Sequence, residues 1–385
     1  MATEILSAPQ EVRQRNDGIE LLRAAATLSI ITYHILTQGG VRYETVALGS
    51  YAKFSLCYLL ECFTLWGSTA FALISGYLYV RARFKVKSLV SIYLETVFYM
   101  LVITAVFAVF APEQVTYKSW TNCLFPFIDR QYWYISAYAG VFIMIPFLNA
   151  AVNAMPRRAL TLSLLAAAVL FFVLPPFTTA DAFNLNSGYS VFWMALMYVV
   201  GAYIRLYAES FEKIKTRSLV LILLLCGLFT WGLKMAEILS AVLTDAGWLT
   251  QYLADRSLAF QKRSALPLAA LGVCVFLLFL RRQPSAACKR VGEFLSRHSL
   301  GVYLIHVQPL LFGSAYYFFS GFAALPLPLI PLAVIAAAAA LFAVCTGLDC
   351  LRALLFRALG ADRFCQWCAE GLSTLGGRIA EKIER

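Results

Sequence analysis

Ten stretches of about twenty mostly apolar residues, joined by short linkers, constrain this 385-residue chain more than any other feature. A helix needs about 20 such residues to cross the hydrocarbon core of a bilayer. The stretches lie near 18–38, 54–79, 88–111, 132–153, 159–177, 189–208, 218–243, 264–281, 299–320 and 328–356. Composition removes the alternative of a water-facing fold. Hydrophobic residues make up 61% and charged residues 14%, with a mean hydropathy of +0.73. Soluble domains carry about 25% charge, because their surface needs it. A soluble globular enzyme, a disordered chain and a fibre are excluded. The pattern predicts an all-α, polytopic membrane bundle of about ten transmembrane helices.

The net charge of +11 does not mark a nucleic-acid binder, because the basic residues cluster between the apolar runs. Of 32 Lys and Arg, 23 fall in the two termini and the linkers after spans 2, 4, 6 and 8, and seven fall in the opposite linkers. The last two, Arg23 and Lys234, lie inside spans. That bias predicts both termini in the cytoplasm. It divides the chain into a cytoplasmic segment 1–17, a transmembrane domain 18–356 and a cytoplasmic tail 357–385. No small-residue cleavage site follows the polar first seventeen residues, so the first span is expected to target the chain. The ten cysteines sit mostly within apolar runs, as small buried hydrophobes do. Cys365-Gln366-Trp367-Cys368 has no second pair and reads more simply as a partly apolar tail helix than as a metal or redox site. No metal is expected. The linker holding Trp120, Pro126 and Trp133 suits the interface or a re-entrant turn.

Ionisable residues inside spans cost about 2.5–3.5 kcal/mol at mid-membrane, so each is a candidate functional group. Arg23 and His34 are eleven residues apart. On a helix this is about three turns, which puts them on one face roughly 16.5 Å apart along the axis. Thr27 shares that face, and Ile30 lies near it. Arg23 falls near the cytoplasmic end and His34 near the outer end. Read singly, the arginine could snorkel to headgroups and the histidine could sit at the interface; together they offer a permanent cation and a titratable base.

The Arg-x10-His pattern, preceded by Gly18-Ile19-Glu20-Leu21-Leu22-Arg23, resembles the head of the membrane acyltransferase 3 family. Three further stretches resemble it in order: Phe71 to Leu78 with Ser75-Gly76, then Trp133-Tyr134, then Ser299 to His306 with Tyr303. The matches run from about residue 15 to 310. The resemblance implies a multi-pass protein of the cell membrane, bacterial in setting. It implies transfer of an acyl group, often acetyl, from cytoplasmic acyl-CoA to a hydroxyl of a cell-envelope glycan or lipid-linked sugar. It makes His34 the catalytic base and Arg23 essential. A neutral imidazole can take an alcohol's proton as it attacks a thioester, worth about 10²–10⁴ in rate. A guanidinium stays charged in low dielectric and can anchor a phosphate or oxyanion.

The loop Arg81-Ala82-Arg83-Phe84-Lys85-Val86-Lys87 alternates cations and could guide donor phosphates, though membrane topology alone also explains it. The family's Arg-x-x-Arg pair is here Arg-x-Arg. Ser75-Gly76 could let a bulky donor approach the backbone, or could pack spans together. Lys234 and Glu237, three apart, are expected to neutralise each other. Glu95 is a plausible partner for Arg23, His306 reads as a hydrogen-bonding helix-packing residue, and His298 reads as exposed. Membrane lipids are the surrounding partners. The competing class is a proton-coupled transporter using Glu61, Glu95, Lys234 and Glu237; neither internal repeats nor paired broken helices stand out to support it.

Overall fold

The computed structural model describes residues 16–82, 85–128, 131–178, 181–314 and 317–383, and among them every regular element is helical. In chain order the α-helices are α1 (Asp17–Leu36), α2 (Val41–Ala47), α3 (Tyr51–Cys62), α4 (Gly67–Tyr79), α5 (Val86–Phe110), α6 (Tyr117–Leu124), α7 (Trp133–Ala154) and α8 (Arg157–Ala167). They continue as α9 (Val191–Leu206), α10 (Ala208–Glu212), α11 (Thr216–Leu243), α12 (Gly247–Phe260), α13 (Leu266–Leu280), α14 (Ala286–His306), α15 (Pro309–Ser314), α16 (Leu329–Ala358) and α17 (Ala361–Ile383).

Among the described residues, seven helical stretches are long and apolar enough to cross a membrane: Asp17–Ala47, Tyr51–Tyr79, Val86–Phe110, Trp133–Ala154, Arg157–Phe177, Thr216–Leu243 and Leu329–Ala358. The shorter apolar helices α9 and α13 match the expected sixth and eighth spans. The expectation of a span over 299–320 is corrected. α14 begins earlier, at Ala286, and stops at His306; the chain turns at Val307 and Gln308 before α15. Pro309 has no amide hydrogen to continue the helix, and the Gln308 side chain caps the new start by accepting from the amides of Leu310 and Leu311 at 2.7 and 3.1 Å.

The expected second span is two helices, α3 and α4, broken by a turn over residues 63–66. The Ser29 hydroxyl of α1 donates to the Thr64 carbonyl of that turn at 2.7 Å, so a backbone group freed by the break is satisfied inside the protein. The linker with Trp120 folds into α6, a short helix beside α5, and the tail around Cys365–Cys368 forms part of α17, tied to α5 by a 2.7 Å ion pair between Lys87 and Asp362.

α1 is the centre of the bundle. Leu36 and Ile31 pack into one apolar core with α5, α14 and α16, while Leu22 and Ala26 pack into a second with α4 and α13. The periphery is the reverse of a soluble protein. Leu221, Leu225 and Leu228 of α11, Val109 and Phe110 of α5, and Leu351 and Leu354 of α16 all point outward. Such a surface is stable only against lipid.

Candidate active site

One face of α1 carries Arg23, Thr27, Ile30 and His34, spaced at three and four residues as a helical stripe requires, and Gln38 follows in the turn after the helix. All five line a single cavity of about 620 Å³. From Arg23 to His34 the stripe covers roughly 16.5 Å of helix. The shared face expected of Arg23 and His34 is therefore the wall of one chamber. Ser75, Trp133, Tyr134, Tyr303 and His306 line the same chamber from α4, α7 and α14.

His34 and His306 meet there. His34 Nδ1 lies 3.2 Å from His306 Nε2, and His306 Nδ1 lies 2.7 Å from the Val302 carbonyl oxygen. A carbonyl only accepts, so His306 carries a proton on Nδ1 and, when neutral, offers a lone pair at Nε2. His34 must then donate from Nδ1. The neutral pair thus has one arrangement, in which His34 keeps its lone pair on Nε2. The Phe312 and Tyr33 rings stand 5.2 and 5.5 Å from the His34 ring and limit its tilt. The helix-packing reading of His306 is incomplete: it bonds its own helix and also fixes His34.

Arg23 faces the cavity with its side chain 30% exposed, and its nearer charge is Glu20, at 3.5 Å. Glu20 also accepts from the Ser296 hydroxyl of α14. The expected pairing of Arg23 with Glu95 is not found. Glu95 turns to Arg352 of α16 at 3.4 Å.

Gly76 does not line the chamber. A Cβ there would lie 1.8 Å from the Tyr198 carbonyl oxygen, so its bare surface is where α4 crosses α9. Arg81 is exposed at the end of α4 and lies outside the chamber wall. Arg83 lies outside the described residues. His298 is not simply exposed: its Nδ1 stands 2.6 Å from an Asp349 carboxylate oxygen. Lys234 and Glu237 pair at 2.7 Å as their spacing predicts. Glu61 of α3 is held by Arg42 at 2.7 Å and by Gln261 at 2.7 Å, a cross-bundle clamp.

Residues that sequence reasoning missed complete the His34 end of the chamber. Gln38, Tyr33, Tyr189 and Arg263 line it beside His34. Arg263 was counted only as a linker cation, and no periodicity marks it. Its neighbours are set by the α12–α13 turn and by the loop before α9, which are distant in the chain.

A family profile described as an acyltransferase domain matches residues 16–348, nearly the whole chain. Comparison with curated proteins and with solved structures gives no match. The matched span contains every chamber residue named above, from Arg23 to His306, and the helical bundle around them is one that only lipid can surround. The chain belongs to the membrane acyltransferase 3 family and is a multi-pass membrane O-acyltransferase.

Proposed function

We propose that the protein moves an acyl group, in the simplest case acetyl, from cytoplasmic acyl-CoA to a hydroxyl of a cell-envelope glycan or lipid-linked sugar, within a bacterial cell membrane. The observation that carries this reading is that His34, whose partner His306 leaves it a lone pair on Nε2, lines the chamber that Arg23 also lines. An acyl-CoA bears phosphates at one end of a long flexible arm and its thioester at the other. Arg23, near the cytoplasmic end of α1, anchors the phosphate portion; His34, about three turns further out, meets the thioester and the acceptor. His34 Nε2 takes the acceptor proton, and the alcohol oxygen attacks the thioester carbon. His306 is a positioning residue: it keeps the His34 proton on Nδ1, as the third member of a catalytic triad does for its histidine. The tyrosines Tyr134 and Tyr303, 6.0 Å apart by ring centroids, help to wall the chamber and restrict water that would compete with the acceptor. Ser75 lines the same wall, and Arg81 and Arg83 give the donor a cationic approach from the cytoplasm.

The test is purified protein reconstituted in lipid, given radiolabelled acetyl-CoA and a crude envelope-glycan fraction, with label in the glycan as the readout. The parent protein is expected to transfer label and His34→Gln to lose nearly all of it. A parent that transfers none, with donor and glycan present on both sides of the membrane, would exclude the acyl-CoA reading.

A further inference from the structure

We propose that Arg263 is a second catalytic residue of this site, one that receives the oxyanion formed when the thioester carbonyl is attacked. The inference rests on the acyl-CoA reading above and adds the group that reading lacks at the reacting carbon. His34 and Arg23 are separated by roughly 16.5 Å along α1, so Arg23 cannot hold the phosphate end of the donor and also reach a carbonyl beside His34.

Arg263 is 9% exposed and lines the same chamber as His34. Its guanidinium carbon stands 5.3 Å from the centroid of Tyr33, the residue next to His34, and 4.5 and 5.9 Å from those of Tyr189 and Trp133. Three aromatic faces thus replace much of the water that would otherwise hydrate the charge. Among the described residues no carboxylate forms an ion pair with it, and its Nε–H has no hydrogen-bond partner. The buried Glu61 gives its oxygens to Arg42 and Gln261 instead. A buried cation with no carboxylate in contact is costly to keep, and a guanidinium cannot escape by losing its proton. A site that develops negative charge only during the reaction would require such a group.

The surroundings are built to hold it. The Arg263 amide donates to the Ser187 carbonyl at 3.1 Å. Gly188 beside it has φ +92°, and a Cβ there would stand 2.6 Å from Arg263 Cβ, so only glycine lets the two loops meet. The Asp181 carboxylate accepts from the amides of Leu185 and Asn186 at 2.8 and 2.6 Å and closes that loop.

The step balances as follows. The acceptor oxygen bonds to the thioester carbon, its proton passes to His34 Nε2, and the carbonyl π pair moves onto oxygen, facing the Arg263 guanidinium. The oxyanion re-forms the carbonyl, the carbon–sulfur bond breaks, and His34 returns the proton to the CoA sulfur. An ester and a free thiol result.

The experiment compares parent, Arg263→Gln and Arg263→Ala in the reconstituted assay with acetyl-CoA and the glycan fraction, alongside direct CoA binding. Removing an oxyanion donor costs about 10²–10³ in kcat. That loss is expected in Arg263→Gln, with CoA affinity and the KM for glycan within about threefold of the parent. Added guanidinium ion should restore part of the Arg263→Ala rate, while urea, which has the same shape without the charge, should not. If Arg263→Gln does not bind CoA and so is not folded, Arg263→Lys keeps the charge without the planar fork and should lose about tenfold in kcat. A kcat within threefold of the parent in whichever of these two variants folds, a loss confined to the glycan KM, or rescue no better with guanidinium than with urea would each overturn the assignment. A parent that transfers no label removes the acyl-CoA reading itself; an active parent with an equally active variant removes only the role of Arg263.

Discussion

Two histidine clusters on α14, two turns apart, have opposite characters. His298 sits in a saturated knot. Asp349 of α16, 0% exposed, accepts from the Tyr99 hydroxyl at 2.6 Å, faces His298 Nδ1 at 2.6 Å, and takes both a 2.7 and a 3.0 Å bond from Arg352. Arg352 in turn meets Glu95 at 3.4 Å. Every charge in this knot has a partner, and Asp349 does not line the chamber that holds His34. His306, by contrast, ends a chain of two bonds that leaves one lone pair unused on His34, a residue lining an open volume. Buried polar groups that are fully paired specify a packed structure; groups left unpaired beside a cavity are placed for a ligand. The same residue type on the same helix thus serves packing in one place and, in the mechanism proposed above, chemistry in the other.

The sharpest way to break this comparison is at His34. His34→Gln keeps a hydrogen-bonding side chain but removes the basic nitrogen, so acyl transfer should fall by about 10²–10⁴, with melting temperature nearly unchanged. A variant that unfolds as well would place His34 in the same class as the knot. Asp349→Ala should do the opposite. Removing the acceptor at the centre of the knot leaves Arg352 and Tyr99 underpaired and should cost about 3 kcal/mol of stability. The folded fraction, measured per molecule still able to bind CoA, should keep its turnover. Loss of turnover without loss of stability would move Asp349 into the active site.

Gly76→Ala sharpens the comparison in a region that belongs to neither cluster. Its new methyl would meet the α9 backbone at Tyr198, an overpacking worth about 1–3 kcal/mol. Stability should fall while CoA affinity is unchanged; a selective loss of CoA binding would return Gly76 to the donor site. The smallest effect is expected from His306→Phe, which removes the acceptor for His34 Nδ1–H. His34 keeps its base but loses the bond that fixes its tautomer, about 1.4 kcal/mol, so kcat should drop about tenfold while the glycan KM holds. A parent-level kcat would mean that His34 does not depend on this partner.

What could be read without coordinates follows from repeat spacing and from the cost of burial. Apolar runs of about twenty residues require membrane helices, and a rise of 1.5 Å per residue puts Arg23, Thr27 and His34 on one wall. The 3.6-residue period also pairs Lys234 with Glu237. These are consequences of one helix taken alone. Where a span breaks was harder to read: the turn at residues 63–66 lies inside a continuous apolar run, and its freed backbone is satisfied by Ser29, a residue of another helix. Pro309 marked the end of α14, yet the apolar residues beyond it masked the stop.

Which groups from different helices meet was decided only by the tertiary packing. Glu95 was assigned to Arg23 by charge and depth, but α5 presents it to α16, so Arg352 takes it and Arg23 keeps Glu20. His298 and His306 are equally plausible by composition, and only the faces of α14 set one against Asp349 and the other against His34. Arg263 carried no local signal at all. Its place beside Tyr33 depends on a glycine of positive φ in one loop and a backbone hydrogen bond from another. Periodicity reports what a helix does to its own side chains. A site assembled by loops and facing helices has no period, so its members become visible only once the chain is folded.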